Sequence, residues 1–156
     1  MSSLLKYELI VYDCDGVLTD NRVYLSENGL ETVAFCRSDG MTISFFKKLG
    51  LKQIIITAET NKVVAKRADK LDIPLISGVD DKQKILKDYC KVNGINLENV
   101  IYVGNDINDL EIMKIVGHPY CPIDASEEIK KISKKVLKTK GGYGVIRELY
   151  DILKEN

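Results

Sequence analysis

Long apolar runs are missing from this sequence of 156 residues. The longest, such as Ile54–Ile56, fall far short of the ~20 residues a membrane helix needs, so no membrane partner is expected. The start, Met1–Lys6, lacks the apolar core of a secretory signal. Also missing is an excess of charge of either sign. Lys+Arg total 23 and Asp+Glu total 23, whereas chains built for nucleic acid usually run basic, so no nucleic-acid partner is expected. There is a single histidine, His118, beside Pro119 and away from every motif, and it is assigned no role. The four cysteines, Cys14, Cys36, Cys90 and Cys121, form no C-x-x-C pair, which argues against a zinc knuckle or a thioredoxin-type site. Cys14 and Cys121 sit in apolar surroundings, where free cysteine acts as a small core residue. These features fit a protein of the reducing cytoplasm.

What is present is an alternation of strand-like and helix-like segments. The strands are Leu9–Tyr12, Gln53–Thr57, Leu75–Ser77, Val100–Val103, Tyr120–Pro122 and Lys135–Lys138. The helices are Met41–Leu49, Asn61–Leu71 capped by Asn61, Asp81–Asn93 stopped by Gly94, Leu110–Val116, Ser126–Ser133 and Tyr143–Leu153. This pattern predicts an α/β fold, with a mostly parallel sheet covered on both faces. The length suits one domain, residues 1–156, with a C-terminal tail over 139–156. One stretch breaks the alternation. Residues 21–35 read as a β-hairpin, Val23–Leu25 and Thr32–Phe35 around Glu27-Asn28-Gly29. It follows the first strand and so projects from the sheet edge where open α/β proteins bind ligands.

Acids gather at that edge. Asp13 and Asp15 flank Cys14 at the end of the first strand, and Gly16 lets the chain turn sharply. Gly104-Asn105-Asp106-Ile107-Asn108-Asp109 follows Val100–Val103. In a parallel sheet the two clusters converge, and oxygen-rich side chains there suit Mg²⁺, a hard cation that bridges to phosphate. Thr57 ends a strand on the same edge and offers a hydroxyl. Lys82 opens a helix, where a cation opposes the macrodipole unless an anion lies nearby.

Asp13-Cys14-Asp15-Gly16, Thr57, Lys82 and Gly104-Asn105-Asp106 with Asp109, in this order, resemble the motifs of the haloacid dehalogenase superfamily of phosphatases. Asp15–Asp20, Asn28-Gly29, Ser38-Asp39-Gly40, Arg67-Ala68, Asp124-Ala125 and Gly141-Gly142-Tyr143-Gly144-Val145-Ile146-Arg147-Glu148 extend the likeness over nearly the whole chain. They are similar to the small capless branch, which holds the 3-deoxy-D-manno-octulosonate 8-phosphate phosphatases, nonulosonate 9-phosphate phosphatases and the phosphatase-like C-terminal domains of some acylneuraminate cytidylyltransferases. The resemblance implies a Rossmann-like three-layer fold without a cap domain. It also implies Asp13 as nucleophile, Asp15 as general acid and base, and Thr57, Lys82 and amides near Gly16 on the phosphoryl oxygens. Mg²⁺ would be held by Asp13, the Asp15 carbonyl, Asn105 and Asp106. Family members usually carry Asp where Asn105 stands; Asp106 or Asp109 is expected to compensate.

The implied substrate is a phosphorylated 2-keto-3-deoxy sugar acid. Ala58, Glu59, Arg67 and Lys70 are the expected contacts, with Arg67 and Lys70 reading its carboxylate and Arg147 behind them. Octulosonate-phosphate members often have Arg at the position of Glu59, while nine-carbon members pair Glu with a Lys like Lys70, which tilts the reading toward nine carbons. The branch also implies a homotetramer in which hairpins pack together and a neighbour closes each site. A non-catalytic assembly module is the alternative. Response-regulator receiver domains use similar groups, but they need an acid at the third strand, where this chain has Ser77-Gly78.

Overall fold

The computed structural model describes residues 4–155. Leu9–Tyr12 has no exposed side chain and forms the central strand β1. Two very short strands follow, β2 (Tyr24–Leu25) and β3 (Glu31–Thr32), then α1 (Arg37–Lys48) and β4 (Lys52–Ile56). Next come α2 (Lys62–Leu71), β5 (Leu75–Ile76), α3 (Lys82–Asn93), β6 (Val100–Val103) and α4 (Leu110–Ile115). The chain ends with β7 (His118–Cys121), α5 (Glu127–Ile132), β8 (Lys135–Val136) and α6 (Val145–Glu155). Six strands pair in parallel in the order β5-β4-β1-β6-β7-β8, and β2 pairs with β3 in a separate antiparallel ribbon.

Side-chain alternation along the strands divides the interior in two. Ile10 and Tyr12 face a cluster with Ile43 and Phe46 of α1, Val64 and Ala68 of α2, and Leu149 and Leu153 of α6. Leu9, Val11 and Tyr102 face Leu86 and Cys90 of α3, Ile112 and Met113 of α4, and Ile129 of α5. The result is three layers, with all strand C-termini on one edge. Among the described residues the Cys14–Leu18 turn and the β2–β3 hairpin stand between β1 and α1, and none forms a cap domain. No helix of the described residues is long and apolar enough to cross a membrane.

Two expected helix starts move. α1 opens at Arg37 rather than Met41, because the polar Ser38-Asp39-Gly40 turn is helical and Asp39 serves another helix. The Asp39 Oδ1 accepts hydrogen bonds from Ile146 N (2.9 Å) and Arg147 N (3.1 Å), at the start of α6. α6 opens at Val145 rather than Tyr143, since Gly144 adopts φ +106°. The Asp39 Oδ2 is buried without a hydrogen-bond partner. Burial pushes the Asp39 carboxyl up to about 6, although the α6 amides and the Arg67 charge pull it down. A folded pKa above the unfolded one means that Asp39 supports the fold fully below pH ~4 and loses that support as pH rises through about 6. Asp39→Asn keeps an acceptor oxygen but no charge. Urea melts should show its stability relative to the parent protein rising between pH 4 and pH 7.5, by up to about 3 kcal/mol.

Candidate active site

β1 delivers Asp13 to the edge, and its N–H continues the ladder to the Val103 carbonyl at 3.0 Å. Asp13 Oδ1 accepts from Cys14 N at 2.8 Å. The chain then turns through Gly16, which has φ +82° and lies so close to the Asn105 amide group that a Cβ would collide with it. Glycine is therefore required twice here, for backbone conformation and for space. Thr19 ties the turn together. Its Oγ1 accepts from Gly16 N and Asn21 N and donates to Asp15 Oδ1, each at 3.3 Å.

Behind Asp13 lies a buried ion cluster. Lys82, the first residue of α3 and only 3% exposed, donates from Nζ to Asp13 Oδ1 and Asp109 Oδ1, both at 2.8 Å. Burial alone would lower the Lys82 pKa, but the two carboxylates outweigh it and hold the ammonium charged. Asp109 reaches this place because Gly104 has no side chain to block it; a Cβ there would sit 2.8 Å from the Asp109 carboxyl. Asp109 also accepts from Tyr102 Oη at 2.7 Å and from Asn105 N at 2.9 Å. Burial, with Asp109 and Asp13 adding to it, drives the Tyr102 phenol well above its ordinary pKa, so it stays a donor. Burial and Asp109 raise the Asp13 carboxyl, and Lys82 opposes them. Burial also raises Asp15 above the usual carboxylate range, against the Thr19 hydrogen bond and the Lys82 charge. A carboxyl tuned upward holds a proton more readily than a free one, which suits it to proton transfer.

In front of Asp13 opens a cleft of about 240 Å³. Asp13, Asp15, Thr57, Ala58, Glu59, Asn105 and Asp106 line it, with Asn21 and Val23 of the hairpin base at its mouth. Thr57 Oγ1 accepts from Glu59 N at 3.1 Å, which shapes this side of the cleft. A larger cavity, about 660 Å³, lies at the opposite edge beside Tyr7, Leu51 and Asn93. Among the described residues no carboxylate pair converges there, and the one acid lining it, Glu8, is spent on Asn96 N and Asn99 Nδ2. The convergent carboxylates line the smaller cleft.

Not every expected residue reaches it. Arg67 donates to the Cys36 carbonyl at 3.2 Å and lies over the Phe35 ring, 5.2 Å from its centre, so it joins α2 to the end of the hairpin segment. Lys70 is exposed on α2, and Arg147 is exposed and paired with Asp151. Asp109, expected to offset Asn105 at the ion, is instead fully buried behind Asp13 and bound by Lys82, and does not line the cleft. Asp106 stays at the rim, exposed, with its side chain capping Ile107 N at 2.8 Å. Tyr102 has no part in the motifs read from the sequence, and Thr19 enters them only as a member of Asp15–Asp20, with no role of its own. Their signals are slight: a tyrosine in a strand otherwise of valine and isoleucine, and a hydroxyl four residues after Asp15.

The Gly141-Gly142 loop packs on the protein's own backbone. Gly142 N donates to the Val17 carbonyl at 3.0 Å, and Gly141 N to Asp124 Oδ1 at 3.0 Å. A Cβ on Gly141 would collide with the Gly16 carbonyl, and one on Gly142 with Thr19 and Asp20. The loop thus braces the turn that carries Asp15. Gly141→Ala should push that turn outward, lowering kcat roughly ten- to a hundredfold, because small misplacements of catalytic groups are costly. Steady-state kinetics together with a melting curve checks this.

The group that would fit between these oxygens is a divalent cation. The end of the Asn105 side chain lies 2.9 Å from the Asp15 carbonyl oxygen and 3.1 Å from Asp13 Oδ2. Neighbouring ligand oxygens around Mg²⁺ are about 3 Å apart, given bonds of about 2.1 Å at right angles. The spacing and the oxygen-rich donor set fit. Asp13, the Asp15 carbonyl and Asn105 would hold the ion.

Comparison with known proteins gives the family and the fold. Residues 46–149 match the family of haloacid dehalogenase-like hydrolases. The chain is 33% identical over 154 residues to a 3-deoxy-D-manno-octulosonate 8-phosphate phosphatase of Escherichia coli, covering 98% of this chain and 82% of that one. A Moraxella catarrhalis 3-deoxy-D-manno-octulosonate 8-phosphate phosphatase, solved with magnesium, phosphate and the sugar acid, superposes with a TM-score of 0.93 at 30% identity, covering 99% of this chain and 89% of that one. The cobalt-bound form of the Haemophilus influenzae phosphatase superposes with a TM-score of 0.92 at 27% identity, covering 98% and 90%.

Proposed function

The chain belongs to the haloacid dehalogenase-like hydrolases, in the branch of the 3-deoxy-D-manno-octulosonate 8-phosphate phosphatases, and from that membership we propose that it hydrolyses the phosphomonoester of a 2-keto-3-deoxy sugar acid, with Mg²⁺ as cofactor. The observation that carries this reading is the Asp13 carboxylate, gripped from behind by Lys82 and open in front to the cleft.

Asp13 attacks phosphorus. The bond to the sugar oxygen breaks, Asp15 gives that oxygen its proton, and an aspartyl-phosphate remains on Asp13. Asp15 then takes a proton from water, which attacks the same phosphorus and frees phosphate and the Asp13 carboxylate. Lys82 pulls Asp13 toward its ionised form, and the Thr57 hydroxyl and the amides near Gly16 hold phosphoryl oxygens. Bound Mg²⁺ supplies positive charge against the phosphoryl group. A module that served assembly alone would have no need for a buried lysine between two carboxylates, since burying such charges is costly.

The relatives favour an eight-carbon 8-phosphate, whereas Glu59 in the cleft favours a nine-carbon 9-phosphate. A phosphate-release panel decides between them: both classes of sugar acid with Mg²⁺, and again with EDTA. Release from one class, lost on chelation, is expected; release from neither by folded protein would overturn the reading. The protein acts in the cytoplasm, which agrees with four unpaired thiols. It assembles as a tetramer through its hairpins, where Val23, Tyr24, Leu25 and Leu30 are each more than half exposed. Light scattering at a mass of four chains would support this, and a monomer would exclude it.

A further inference from the structure

We propose that Asn105 is a two-way switch in the ion site: its amide nitrogen closes the site when no ion is bound, and its amide oxygen faces the ion when one is. This rests on the metal reading given above and says what this chain's own residue does to it.

Asn105 is only 7% exposed. Its backbone is fixed at both ends, N–H to Asp109 Oδ2 at 2.9 Å and carbonyl to Ser126 N at 2.9 Å. Its side chain packs against Gly16, and a half-turn of the amide exchanges its oxygen and nitrogen at the same place. The atom aimed inward sits 2.9 Å from the Asp15 carbonyl and 3.1 Å from Asp13 Oδ2. Both neighbours are acceptors. With oxygen inward and no cation, three oxygens crowd together without a proton between them, which is unfavourable in a buried site. With nitrogen inward, the amide donates to both. Asp13 is then satisfied on each oxygen: Oδ1 by Lys82 and Cys14 N, Oδ2 by Asn105.

A carboxylate at this position has no proton to donate and would need the cation. The amide does not. An arriving ion must displace two hydrogen bonds, and it meets one negative charge fewer. Ion affinity in oxygen sites follows the ligand charge count. The site is therefore preformed without metal, and it binds metal weakly and reversibly.

The test compares the parent protein with Asn105→Asp. Calorimetric titration with Mg²⁺ should show the variant binding at least about tenfold more tightly. Melting temperatures should cross: the variant lower without Mg²⁺, equal or higher when saturated. A purely structural role would lower both. In the parent protein, the Asn105 side-chain amide pair, followed by ¹H–¹⁵N NMR, should be protected without metal and shift on Mg²⁺ saturation, while its backbone amide stays put. Equal Mg²⁺ affinity, or a metal-free variant as stable as the parent, overturns the proposal and leaves the metal reading intact. Mg²⁺ binding to neither protein overturns both. If the variant does not fold in either condition, unmoved amide signals in Mg²⁺-saturated parent protein overturn the switch.

Discussion

Asp13→Asn should reduce phosphate release to less than about one ten-thousandth of the parent rate while the fold persists. The amide is nearly isosteric with the carboxylate. Its oxygen still accepts from Cys14 N and Lys82, which both lie 2.8 Å from Asp13 Oδ1. What disappears is the nucleophile, since an amide oxygen cannot carry the phosphoryl group as an acyl phosphate. Stability should move little, or rise slightly, because burial and Asp109 already press against the Asp13 charge. Circular dichroism and a melting curve establish the fold; single-turnover assays, with enzyme in excess, establish the loss. A variant that turned over at near-parent rates would remove Asp13 from the chemistry.

Lys82→Met should fail in both respects. Among the described residues the ammonium is the one group touching both Asp13 Oδ1 and Asp109 Oδ1, and all three side chains are almost wholly buried. Methionine fills much of the volume but leaves two buried carboxylates without the cation between them. Removing one partner of a buried ion cluster costs about 3–5 kcal/mol. In a chain of this size that corresponds to a fall in Tm of roughly 10 °C. Activity should fall with it, because Asp13 then holds its proton near neutral pH. Raising the pH should recover part of the activity, though not the stability. A variant with unchanged Tm would contradict the bridge.

The contrast between these two variants explains which parts of the site could be read in the sequence. Asp13, Asp15, Thr57 and Asn105 end or follow strands of one parallel sheet, and such strands present their C-termini on one edge whatever the helix packing. Asn61 capping α2 and Gly94 ending α3 with φ +65° follow from local chemistry alone. Asp109 was legible as an acid but not by role. Its burial depends on Gly104 clearing a path and on Tyr102 pointing to the same face of the sheet. Arg67 and Lys70 were misplaced because one helix can offer its basic residues to several neighbours. Only packing shows that Arg67 is taken up by Phe35 and the Cys36 carbonyl. The glycines at 141 and 142 suggested a close approach, and the structure supplies the partner, the backbone of residues 16–20.

The central claim is that phosphate passes through Asp13, and trapping that intermediate tests it most directly. Enzyme and phosphorylated sugar acid are mixed with Mg²⁺, quenched in acid within one turnover and reduced with borohydride, which converts an aspartyl-phosphate to homoserine. Mass spectrometry of the peptide containing residue 13 should show homoserine there, only when substrate was present, and none in Asp13→Asn. Rapid phosphate release with residue 13 recovered solely as aspartate would contradict the account.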